Sequence, residues 1–141
     1  MIKIENIKEF DENAKKLIDD EYEKQSAHEN VSCNYTPFNL IAKEDDESVG
    51  FLTGYTCYGE VYIEELIILE KYRGKGIGKM LMQEVENNFK NKGFNNINLV
   101  TNAFQEPEFY KKCGYELEFI RENKENPKLT KYFFVKYFWK S

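Results

Sequence analysis

The chain predicts an α+β fold: a mostly antiparallel sheet with one parallel pair, flanked by helices. Three observations predict it. Apolar runs of strand length recur between turn signals along the 141 residues. One run, Val61 to Leu69, leads into a charged, glycine-rich turn and then an amphipathic helix. After that helix comes a short, near-continuous apolar run, Ile97 to Thr101, and a strand–helix–strand crossover makes its two strands parallel neighbours. A single domain, residues 1–141, is expected, because a chain of this length can bury its own core.

Each element has its own local reason. Met1 to Glu5 reads as a short edge strand. Phe10, Ala14, Leu17, Ile18 and Tyr22 mark one face of a first helix, with Asp11 as its N-cap. Gln25 to Tyr35 is polar and reads as helix end and loop. Pro37 to Lys43 and Ser48 to Tyr58 form a hairpin around the acidic turn Glu44–Glu47, with Gly50 and Gly54 marking bulges or close backbone approach. Gly59 turns the chain into the key strand. In the following helix Ile77, Leu81, Val85 and Phe89 fall four apart, with Met82 beside them, so one face is apolar. Lys92-Gly93 stops that helix. Pro107 opens a short helix and Gly114 ends it. Tyr115 to Arg121 and the aromatic-rich Leu129 to Trp139 are the last two strands. The expected order is β-α-β-β-β-α-β-α-β-β.

Composition narrows the function. A net charge of −5 and a pI near 5.1 disfavour broad binding to nucleic acid or anionic membranes and leave room for a cationic substrate. No apolar run reaches the length of a membrane span, and Met1-Ile2-Lys3-Ile4 does not begin a signal peptide. Cys33, Cys57 and Cys113 show no Cys-x-x-Cys spacing, so neither a zinc site nor a disulfide framework is expected, and a cytoplasmic location is the default.

Strand, glycine turn and helix start together make a phosphate site: glycines admit close approach of the backbone, and free N–H groups of the helix start point at the anion. Spacing discriminates among such turns. Gly78-Lys79 is followed by Met80 rather than the Ser or Thr a Walker loop requires. Counting from Gly74 or Gly76, the third position of a G-x-G-x-x-G fingerprint is Lys79 or Leu81. What fits is Arg73-x-x-Gly76-x-Gly78, which resembles the pyrophosphate loop of the GNAT superfamily of acetyl-CoA-dependent N-acetyltransferases. Phe109-Tyr110-Lys111-Lys112-Cys113-Gly114-Tyr115 is similar to the second signature of that family. The run Phe104, Gln105, Pro107, Phe109, Tyr110 matches small, single-domain bacterial members. Asn102 stands one residue out of register with the family's strand-end Asn, and Glu106 occupies the place of its Ala.

The resemblance implies a GNAT-like sheet and a set of roles. Arg73, Gly74, Lys75, Gly76, Ile77, Gly78 and Lys79 would cradle the pyrophosphate of acetyl-CoA, the cosubstrate. Leu66, Ile67 and Ile68 would pair with the pantetheine arm through main-chain groups, their side chains being core. Tyr110 matches the family tyrosine that protonates the departing thiolate. Attack on a thioester needs a neutral amine, so a carboxylate base is expected, with Glu64 preferred, Glu65 second and Glu60 weaker. Successive strand residues alternate in direction, so only one of Glu64 and Glu65 is expected to point at the acceptor. Apolar surroundings would raise the pKa of such a carboxylate. Tyr35, Tyr55, Tyr58, Tyr132 and Phe134 could line an aromatic pocket, each having a plainer reading as core or dimer surface. His28 and Cys113 read as a surface and a packing residue.

The implied activity is acetyl transfer to a primary amine in a ternary complex, without metal. The expected acceptor is a small amine or amino sugar, with a protein amine as the alternative; a homodimer is possible, and no nucleic acid or membrane partner is expected. The main rival is a non-catalytic acyl-CoA-binding sensor on the same fold. A nucleotide-binding module and a protein that only makes interactions are more distant readings.

Overall fold

A computed structural model describes residues 1–140. The chain forms two compact units, Met1–Cys33 and Asn34–Ser141.

In the first unit helix α1 spans Glu12–His28. Asp11 has extended backbone, and its carboxylate accepts the Ala14 N–H at 2.8 Å, which satisfies one of the donors a helix start leaves open. The strand expected at Met1–Glu5 is absent, and residues 1–7 have no regular structure. Alternating Ile2 and Ile4 carry a strand-like pattern, but a pattern becomes a strand only where a partner edge accepts its hydrogen bonds.

The second unit is a six-stranded sheet in the order β1-β2-β3-β4-β6-β5. The strands are β1 (Thr36–Glu44), β2 (Glu47–Cys57), β3 (Glu60–Ile68), β4 (Asn96–Asn102), β5 (Glu116–Arg121) and β6 (Lys131–Tyr137); helix α2 spans Ile77–Phe89 and helix α3 Glu108–Lys112. From α1 onward this is the expected order. The last strand begins later than its apolar pattern, because Pro127–Leu129 form a 3-10 turn.

Alternation decides what each strand buries. Val61 and Ile63 of β3, Ile97 and Leu99 of β4 and Phe134 of β6 meet Leu81, Met82 and Val85 of α2 in one core, with Phe109, Tyr110 and Cys113 of α3 packed against it. Burial of such side chains contributes roughly 1.5–3 kcal/mol each. Glycine permits the closest contacts. A Cβ on Gly50 would lie 2.9 Å from Ile68 Cδ1, and one on Gly54 would lie 2.3 Å from the Tyr62 carbonyl oxygen.

Two irregularities shape β3. It runs antiparallel to β2 with a bulge: Thr53 pairs with Glu65 and Gly54 with Ile63, so Glu64 is the extra residue. On its other side it is parallel to β4 for only three pairs, Glu60–Asn96, Val61–Ile97 and Tyr62–Asn98. Beyond Tyr62 the two strands part, and β4 continues in register with β6 to Asn102.

Candidate functional site

The parting of β3 and β4 creates a fork. Leu66, Ile67 and Ile68 pair with Leu52, Phe51 and Gly50 of β2 on one side and have no strand partner on the other. Leu66 and Ile68 pack against the core as expected. Ile67 does not; it is about half exposed. At the far tine, Gln105 Oε1 accepts both the backbone N–H of Asn102 at 3.1 Å and its Nδ2 at 2.9 Å, which ties the end of β4 to the following turn.

The glycine loop sits at the open end of β3. Gly74 (φ +77°) and Gly76 (φ +82°) occupy left-handed backbone, and a Cβ on either would meet nothing within 4 Å. Their conformation demands glycine, while the space above them is open. The first α2 amide to reach a backbone carbonyl is that of Met80, which donates to Gly76 at 3.1 Å. Among the described residues the amides from Gly74 to Lys79 have no backbone acceptor, so the loop presents a row of free N–H groups at a helix start. Arg73 is partly committed: its Nε donates to the Ile68 carbonyl at 3.0 Å, holding the loop to the strand end. Lys75 lies over the Tyr72 ring, 5.2 Å from its centroid, and Tyr72 in turn donates to Glu47 at 2.8 Å. The residues present fit a pyrophosphate: open space, free amides and nearby cations.

Gly78 performs a different task from the other loop glycines. A Cβ there would stand 3.1 Å from Phe109 Cζ, so its bareness lets α3 press against the start of α2. That contact places Tyr110 beside the core, where its ring lies 5.8 Å from Phe134 and 6.4 Å from Tyr115. Burial, with Cys113 adding to it, pushes the Tyr110 phenol up to about 12. The far end of α3 is clamped: Lys136 Nζ donates to the Cys113 carbonyl at 3.1 Å and also pairs with Glu86 of α2. Gly114, at φ +91°, leaves the room that Lys136 uses.

Glu64 and Glu65 depart from the expected alternation. Ile63 and Leu66, on either side of them, both meet the core, and the two carboxylates are exposed together on the other side. The bulge explains this, since one extra residue cancels one reversal of direction. Both carboxylates therefore face solvent and not the apolar surroundings expected for them.

The aromatic set does not converge. Phe134 is fully buried in the core and Tyr132 packs against it. Tyr35 and Tyr55 instead continue a ladder with Tyr62, at 5.1 Å and 4.9 Å between ring centroids. Sequence reasoning missed the polar network at the base of the fork. Tyr62 donates to Glu60, Asn96 Nδ2 donates to Glu60 Oε1 at 3.0 Å, and Asn98 Nδ2 donates to Asn96 Oδ1 at 2.8 Å. The run Asn95-Asn96-x-Asn98, leading into the strand predicted at Ile97 to Thr101, was the available signal, since such residues are depleted in strands. The hydrogen bond to Glu60, with burial and charge added, pushes the Tyr62 phenol up to about 12.

His28 ends α1 with its ring exposed, 3.4 Å from Glu29. Cys113 is a free thiol, held protonated by burial against the opposing pull of Lys79 and Lys136. No helix among the described residues is long and apolar enough to cross a membrane.

Comparison with known proteins gives a consistent picture. The model of the Acetyltransferase (GNAT) family matches residues 3–115. An acetyltransferase from Bacillus cereus ATCC 14579 is 27% identical, with 94% of this chain and 97% of that one covered and a TM-score of 0.75. Aminoglycoside 6'-acetyltransferase type Ii is 25% identical, with 87% and 83% covered and a TM-score of 0.64. A GNAT family acetyltransferase from Elizabethkingia anophelis, solved with acetyl-CoA bound, shares the fold at 18% identity, with 83% and 82% covered and a TM-score of 0.63. Among curated proteins there is no significant match.

Proposed function

Because the chain belongs to the acetyltransferase (GNAT) family, we propose that it transfers the acetyl group of acetyl-CoA to a primary amine by direct attack in a ternary complex. The observation that carries this reading is the fork: a parallel ladder that stops after three pairs, with a free-amide glycine loop at its open end. An arm bearing amides can pair with the free edge of β3 at Leu66, Ile67 and Ile68, while the backbone of Arg73 to Lys79 holds the diphosphate. Acetyl-CoA supplies an activated thioester. The chain supplies orientation, a main-chain N–H near the bulge for the developing oxyanion, and a proton at the Tyr110 hydroxyl for the departing sulfur. A phenol held well above its ordinary pKa keeps that proton at neutral pH. Glu64, the bulge residue, is assigned the base and Glu65 the reserve; being exposed, they work through solvent water. The acceptor is a small amine or amino sugar, and the aminoglycoside acetyltransferase neighbour supports that class.

The test is calorimetric titration with acetyl-CoA, with ATP and NAD as controls, followed by amine-dependent thiol release. Binding of acetyl-CoA alone, with turnover, is expected. Binding with no turnover on any amine would favour the non-catalytic sensor, and no binding would refute the loop assignment.

A further inference from the structure

The sheet face turned away from α2 carries a cavity that acetyl transfer as described above does not use. It measures about 320 Å³ and crosses from β3 to β5, with Glu60, Asn96, Asn98, Tyr137 and Glu118 among its lining. These residues share a face because they are direct cross-strand partners: Glu60 opposes Asn96, Asn96 opposes Tyr137, and Tyr62 opposes Asn98.

The floor is built in advance. Asn96 is only 4% exposed, and its amide is fixed between Glu60 and Asn98. The Asn96 amide donates to Glu60 and to Asn95 Oδ1 at 2.8 Å, and that of Asn98 donates to Asn96, so both are engaged within the network. Among the described residues, the side-chain Oδ1 of Asn98 and the Glu118 carboxylate have no hydrogen-bond partner. No Lys or Arg lines the space. Lys140 lies over the Tyr137 ring at 5.1 Å, but Glu116 holds it at 3.0 Å. A cavity with acceptors, two carboxylates and no cation selects a ligand that brings both hydrogen-bond donors and positive charge. Glu60 and Glu118 lie on strands three places apart, roughly 14 Å at the usual strand spacing. That is too wide for a single metal ion and suits an elongated cation.

Position supplies the rest. Tyr62–Asn98 is the last rung before the fork. The bulge turns Glu64 and Glu65 to the outward side of β3, away from the core side chains. From Glu60 to Glu64 is four residues of strand, about 13 Å. We propose that this cavity anchors the second cationic group of the acceptor, so that the substrate is a diamine, polyamine or amino sugar. One amine would reach the fork while another ammonium, about 1 nm away, rests beside Glu60 and Asn98, with the Glu118 carboxylate across the cavity adding to the attraction. This rests on the acetyltransferase reading given above.

The experiment compares octylamine with 1,8-diaminooctane, which differ only in the second amine, as acceptors at low salt. The expected result is a kcat/KM at least about ten-fold higher for the diamine, with that ratio falling several-fold in Glu118→Gln and in Glu60→Gln, the latter keeping an acceptor for Asn96. Equal kcat/KM for the two amines, or an unchanged ratio in both variants, would overturn the proposal while leaving acetyl transfer standing. Should neither amine be acetylated, the acetyltransferase reading is decided by the acetyl-CoA titration and amine screen given above. Calorimetric titration of 1,8-diaminooctane then decides the cavity: binding weakened in Glu118→Gln supports it, and no binding to the parent refutes it.

Discussion

Gly54→Ala tests the geometry on which the fork depends, and two effects compete for its sign. In a strand interior, replacing glycine by alanine ordinarily stabilises by roughly 0.5–1 kcal/mol, because the unfolded chain loses freedom. Here the added methyl would stand 2.3 Å from the Tyr62 carbonyl oxygen and 2.5 Å from Phe38 Cζ. The ring of Phe38 can turn. The carbonyl belongs to β3 beside the bulge and cannot move without shifting the strand. Overpacking against a fixed neighbour costs typically 1–3 kcal/mol and occasionally more. A methyl this far inside contact distance takes the upper end of that cost, about 3 kcal/mol, so the clash outweighs the entropy gain for a net loss of about 2 kcal/mol. For a unit of this size, with an unfolding entropy of roughly 0.23 kcal/mol/K, the melting temperature should fall by about 9 °C. The assay is thermal unfolding followed by circular dichroism, with amine-dependent thiol release measured well below the transition. Turnover should fall further than the folded fraction, since the strand displaced is the one carrying Glu64. A melting temperature equal to or above that of the parent would refute the close approach and the argument built on it.

Tyr110→Phe should slow turnover by roughly 10²-fold or more while acetyl-CoA affinity, measured by calorimetry, stays nearly constant; a full-speed variant removes Tyr110 from the chemistry. Gly76→Asp places a side chain at φ +82° and a negative charge over the loop, and calorimetry should find acetyl-CoA binding lost. Lys136→Met leaves Glu86 and the Cys113 carbonyl without their shared partner and should cost about 1–3 kcal/mol in urea unfolding. Alkaline stability follows from the tyrosines. Tyr110 and Tyr62 have folded pKa values near 12, and Tyr115 is raised too, by its burial first and the Glu86 charge next. A phenol raised above its unfolded value of about 10 binds more protons in the folded state, so its contribution is complete below about pH 10 and is lost as pH rises toward 12. Urea midpoints measured from pH 8 to 11.5 should decline above 10, and less steeply in Tyr110→Phe.

The features legible in the sequence are those that local chemistry fixes. Helix α2 was expected between the glycine turn and Lys92-Gly93, and it spans Ile77–Phe89, because its apolar face and its flanking glycines are written within one stretch of chain. Asp11 caps α1 for the same kind of reason. The glycine loop could be assigned because left-handed backbone at Gly74 and Gly76 admits few other residues. What escaped depends on pairing between distant segments. The bulge at Glu64 follows from how β2 lies against β3, and it overrules the alternation that would have separated Glu64 from Glu65. Asn96 and Asn98 join Glu60 only once β4 lies beside β3. Tyrosines that look alike in sequence go to opposite faces, Tyr132 to the core and Tyr55 to the ladder, according to strand parity. The N-terminal Ile2 and Ile4 show the reverse error, a pattern without a partner.

The three shared rungs between β3 and β4 have a mechanical meaning. They divide the sheet into two half-sheets, β1-β2-β3 and β4-β6-β5, with α2 as the covalent strap between them. Backbone hydrogen bonding across this seam is confined to those rungs, so beyond Tyr62–Asn98 the halves are joined by the side-chain core against α2 and not by a ladder. A guest that hydrogen-bonds to the tine of β3 and touches that of β4 would act as a missing strand and restore continuity across the seam. Amide exchange at Ile63 to Ile68 would then report how far the two halves behave as one body.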